Sequence, residues 1–138
     1  MSPIEIFFFG FAALVVAVAL IAGQVPEKIS GALILLVTIA SQIISLFVPH
    51  SQQGVALLAV DGIMALGFTF LALNYMKFWT AVMMFAISGY FYTHAYYMST
   101  SRSLDRDFAF FSNIATAVAL LALALGVWSS RRRSAGRT

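Results

Sequence analysis

Cysteine is absent from this chain of 138 residues. That excludes disulfides, thiolate metal sites, iron–sulfur clusters and cysteine nucleophiles. Charge is scarce as well: eight basic and five acidic side chains make up 9% of the sequence. So few cannot clothe a soluble globule of this size, whose surface is normally rich in such groups. Proline occurs three times, and Pro26 and Pro49 both fall between long apolar stretches, where they mark breaks. No lysine stands inside an apolar run, which argues against a retinal Schiff base. No Walker loop, HExxH or GxSxG occurs, so the usual signals of ATPases, zinc proteases and serine hydrolases are missing. No run carries the arginine ladder of a voltage sensor. The chain is therefore read as non-enzymatic.

What is present is apolar surface: 62% of residues are hydrophobic. A helix crosses the hydrocarbon core with about 20 residues. Five segments meet or approach that length: 4–23, 31–48, 55–74, 78–98 and 108–128. The predicted fold is an all-α integral membrane protein, a bundle of five transmembrane helices forming a single domain over residues 1–128. Residues 129–138 read as a basic tail without fixed structure. The breaks are Gly23–Lys28, the turn cluster Pro49–Gly54, the tight junction at Asn74–Lys77 and the charged stretch Ser99–Asp107. The first segment carries Glu5 and lacks a basic start, so it reads as a span and not a cleaved leader.

Lysine and arginine set the expected orientation. Five spans put the termini on opposite sides. With the C-terminus cytoplasmic, Lys28, Lys77, Arg131, Arg132, Arg133 and Arg137 all lie inside, and only Arg102 and Arg106 lie outside. The N-terminus is therefore expected outside, in the cell inner (cytoplasmic) membrane. Arg131, Arg132 and Arg133 suit an anchor on an anionic membrane surface. Nucleic-acid binding is excluded as a reading, because the basic segment is short and abuts an apolar helix.

Polar residues within the spans are uneven. Gln42, Ser45, Asp61, Tyr90, Thr93, His94, Ser112 and Asn113 fall in the expected outer half, and the inner half is nearly all apolar. Asp61 is the single acid in the middle of an apolar run. A carboxylate there is costly and normally has a partner or a function. Asp61 precedes Met76 by 15 residues, and His94 follows it by 18. At about 1.5 Å per residue the two depths differ by about 4.5 Å, so an antiparallel hairpin brings them within pairing distance if their faces match. Asp61, His94, Gln42, Tyr90 and Asn113 form the candidate polar layer.

Two readings of that layer compete. One is an interhelical clamp, since a polar contact between helices in lipid contributes roughly 0.6 to 2 kcal/mol. The other is a proton- or ion-handling site, since a histidine beside a carboxylate can titrate near neutral pH. A third use, with His50 and His94 as metal or haem ligands, is disfavoured because His50 is expected in a loop and no ligand spacing links the two. No cofactor is expected on balance. The leading functional expectation is an accessory or assembly partner of a larger membrane complex, or a self-associating protein, held in the lipid bilayer. The alternatives are a small proton- or ion-coupled transporter or channel-like oligomer, and an electron-transfer subunit with haem or metal.

Overall fold

A computed structural model describes residues 3–103 and 105–136. Every regular element in them is helical: α1 Pro3–Ala22, α2 Val25–Phe47, α3 His50–Tyr75, α4 Phe78–Ser99 and α5 Arg106–Ala135. Four helices, α1, α2, α3 and α5, are long and apolar enough to cross a membrane. The fourth in sequence, α4, has 22 residues but does not reach the same apolarity. Its Thr80, Tyr90, Tyr92, Thr93, His94, Tyr96 and Tyr97 lower it. Of the five expected spans, four thus have the length and apolarity of one. In the fold α4 packs between α3 and α5.

Short connections force neighbouring helices to run antiparallel. Each helix packs on the next, and α5 returns to α1, so the bundle closes into a ring in sequence order, with α2 also touching α5. The two ends of the bundle are chemically different. At one end meet the α1–α2 and α3–α4 junctions and the C-terminal part of α5. This is the basic end. At the other end meet the α2–α3 and α4–α5 junctions.

Helix boundaries depart from the expected breaks for local reasons. Residues Gly23–Lys28 were expected to interrupt the chain, yet only Gly23 and Gln24 separate α1 from α2. Pro26 lies in the first turn of α2, where its missing N–H costs nothing. The Gln24 N–H donates to Glu27 Oε2 at 2.7 Å, which satisfies a donor that a helix start leaves open. Likewise α3 begins directly after Pro49, so His50 is its first residue and is not in a loop. At the next junction Met76 takes the left-handed conformation (φ 36°, ψ 46°) and closes α3.

At the C-terminal side α5 continues seven residues beyond Trp128, to Ala135. The expected unstructured tail is corrected: residues 129–135 are helical, and Arg137 lies outside the described residues. Arginine is a good helix former, and Arg132 and Arg133 in the last turn oppose the negative end of the helix dipole. Arg132 also lies 4.2 Å from the centre of the Trp128 ring. The start of α5 is capped by Asp105, whose Oδ1 accepts from Phe108 N–H at 3.0 Å and from Tyr97 O–H at 3.1 Å. The Phe108 N–H bond holds this carboxyl below the usual aspartate range. The cap's contribution is therefore present near neutral pH and is lost as pH falls through that lowered value.

Packing is concentrated in the basic half. Val15 and Ala19 of α1, Phe68 and Leu71 of α3, Trp79 and Met83 of α4 and Leu120, Leu123 and Val127 of α5 form the buried core. All but Leu120, which lies at the middle of α5, lie toward the ends of their helices that meet at the basic end. There α5 approaches α4 closely: a methyl group at Gly126 would stand 2.7 Å from the Trp79 ring. Only a residue without Cβ permits that contact.

One buried acid ties this half together. Glu27 is 0% exposed. Its Oε1 accepts from Ser130 Oγ at 2.9 Å and lies 3.8 Å from Lys77 Nζ. The start of α2, the end of α5 and the α3–α4 junction are thus joined at one carboxylate. The sequence reading left Glu27 in a polar break and missed it. Glu27→Ala is expected to lower stability by about 3 kcal/mol, because Ser130 and the Gln24 N–H lose their acceptor. Glu27→Gln should lose less. Unfolding of the detergent-solubilised protein checks the ranking, and equal stability of all three forms would remove Glu27 as a tie.

Candidate functional site

The other half of the bundle is looser and holds a polar cavity. Its floor is Asp61 of α3 and His94 of α4, whose Oδ2 and Nδ1 stand 2.6 Å apart. Asp61 is 9% exposed and His94 3%. Both sit on helix faces turned inward by the hairpin around Met76, three turns or more from the junction. Proximity of the two, expected from their nearly equal depths, is what the geometry has. Two charges or two neutral groups at this distance leave the pair neutral as a whole, which avoids the penalty of an isolated buried charge. With Nδ1 committed to the carboxylate, Nε2 is the ring's one remaining polar atom.

Above this floor the cavity has a volume of about 500 Å³. Ser41, Gln42 and Ser45 of α2 form one wall, His50 and Gln53 of α3 the rim, and Tyr90 and Phe108 the opposite wall. Aromatic rings fix the histidine: Phe108 and Tyr90 stand 5.6 and 6.3 Å from it between ring centres, both near edge-on. Gln53 has a structural task as well. Its side-chain amide donates to the carbonyls of Val48 and Ser45, at 2.9 and 3.2 Å, and so caps the end of α2.

The expected polar layer is thus brought together in part. Asp61, His94, Gln42 and Tyr90 all line the cavity. Asn113 does not line it and is exposed. The reason is helical phase: Phe108 faces the cavity, and five residues later the helix has turned about 140° past that direction. Several hydroxyls on these helices serve their own backbone. Thr38, Ser45, Thr93 and Thr116 donate to carbonyls four residues back in their own helices. Such hydroxyls are already satisfied and tie no helices together.

His50 and His94 both border the cavity, which their sequence positions did not show. Among the described residues no three histidine, cysteine, aspartate or glutamate side chains gather as a metal-holding group. Arg131, Arg132 and Arg133 sit at the opposite end, on the last turns of α5.

The chain is all-helical, and four of its helices have the length and apolarity of membrane spans, the character of a multi-pass membrane protein. Comparison with protein families, curated proteins and solved structures found no match to it.

The Asp61–His94 contact can be isolated by a double-mutant cycle in detergent. His94→Leu alone leaves the carboxylate buried without its partner and is expected to cost about 3–5 kcal/mol. Replacing both residues together, Asp61→Leu with His94→Leu, should cost clearly less than the sum of the single changes. Additive losses would mean that the two side chains do not interact.

Proposed function

We propose that this protein is a non-enzymatic membrane protein that takes up a proton or small cation in the cavity above Asp61 and His94, as a small ion- or proton-coupled transporter does. The observation that carries this reading is the buried pair itself, set at the floor of a cavity whose other polar walls are neutral. Apart from the histidines, no basic side chain lines the cavity. The pair offers one carboxylate and one imidazole, so an arriving cation can be balanced by loss of the shared proton. A clamp alone needs no adjoining cavity. In the orientation favoured by the basic residues, the cavity opens toward the outer side of the inner membrane.

Vesicles containing a pH-sensitive dye test this. Purified protein should carry protons in response to an imposed sodium, potassium or pH gradient. Asp61→Asn should lower the rate roughly a hundredfold, the scale on which a positioned proton-transfer group acts. Asn113→Ala, which lies outside the cavity and keeps the pair, should alter the rate far less. An Asp61→Asn protein as fast as the wild type would leave the pair as a clamp.

The accessory role is a second reading, favoured by one feature. Gly10 and Gly89 have nothing within 4 Å of where a Cβ would stand, which leaves room for a helix of another chain to approach closely. Purification in mild detergent decides it. A partner retained at fixed stoichiometry and lost in Gly89→Leu supports an accessory subunit, and a lone monomer that still transports removes that role.

A further inference from the structure

A second cavity lies at the basic end, away from Asp61 and His94. It is a cleft of about 800 Å³ between α4 and the second half of α5. Along α5 its lining is apolar, with Val82, Val118, Leu121, Ala122 and Leu125, and toward the end of the bundle it carries Lys77 and Arg133, with Trp79 and Trp128 also in its wall. Val118 and Arg133 are both on α5 and both line the cleft, so it runs along about 22 Å of helix. One leaflet's share of the hydrocarbon core is about 15 Å. The cleft is therefore long enough for an acyl chain with its headgroup beside Lys77 and Arg133.

We propose that this cleft is a binding site for an anionic phospholipid, with the tail along α5 and the phosphate between Lys77 and Arg133. Charge selects that occupant. Lys77 shares part of its charge with Glu27 at 3.8 Å, but an ammonium has three donors and this one is partly exposed. Among the described residues no carboxylate pairs with Arg133. Arginine and lysine flanked by tryptophan is the chemistry of a headgroup contact at the membrane interface. A second copy of the chain is a poor occupant, because among the described residues it has no exposed acidic side chain to offer at this level. Glu27 and Asp61 are buried, and Glu5, Asp105 and Asp107 stand at or near the opposite end of the bundle.

Trp79 and Trp128 are the chain's two tryptophans, and both line this cleft. Intrinsic fluorescence therefore reports on it directly. In vesicles, brominated phosphatidylglycerol should quench at a mole fraction lower than brominated phosphatidylcholine by at least roughly fivefold, the preference one basic residue confers at an anionic surface. Arg133→Gln should reduce that preference. Arg131→Gln should keep it, because Arg131 lies outside the cleft on the same turns of α5. Both positions are exposed, so neither change threatens the fold. Equal quenching by the two lipids would overturn the proposal. So would an equal loss in both variants, which would assign the preference to the charge of the helix end as a whole.

Discussion

Glu27 is the constraint on which the rest of the bundle rests. A carboxylate fully withdrawn from solvent must be supplied with donors, and here they come from three places: the α1–α2 turn, the α3–α4 turn and the end of α5. Meeting that demand brings the turns of both hairpins and the last helix to one level. The apolar core then fills the adjoining half, with Phe68, Met83 and Leu123 closed to solvent. Because the basic half is packed and tied, the opposite half can stay open enough to hold a polar cavity without loss of the fold. The apolar core and the polar cavity are thus divided between the two ends of the same helices.

The five apolar runs were legible because a membrane span imposes a length on the sequence. Their ends were less so. Pro26 and Pro49 read as breaks, but Pro26 lies inside the first turn of α2 and Pro49 stands directly before the first residue of α3. The signal for an earlier start of α2 was present in Gln24 and Glu27, spaced as a helix-start pair. It was passed over because polar residues between apolar runs look like a loop. The same habit hid Glu27 as a tie, since its partner Ser130 lies 103 residues away and no local pattern links them.

The pairing of Asp61 with His94 was legible for a geometric reason. A tight turn makes two helices count outward from a common point, so equal residue counts give equal depth. Asn113 shows the limit of that reasoning. Depth follows from counting, but the direction a side chain faces depends on helix rotation, which the neighbours of α5 fix. Hydroxyl groups mislead in a similar way. Thr93 falls among the polar residues of the outer half in sequence, yet it spends its proton on the Gly89 carbonyl of its own helix.

The ring of helices closes in sequence order, and that has a consequence for how the protein is made. The first four helices can form successive hairpins as they leave the ribosome, each neighbour arriving directly after the last. Glu27 enters the membrane boundary early, while Ser130 is still unmade. Final closure waits for the fifth helix, and with it for the residues just beyond the apolar run. A segment that resembles a basic extension thus supplies, through Ser130, the contact that joins the last helix to Glu27.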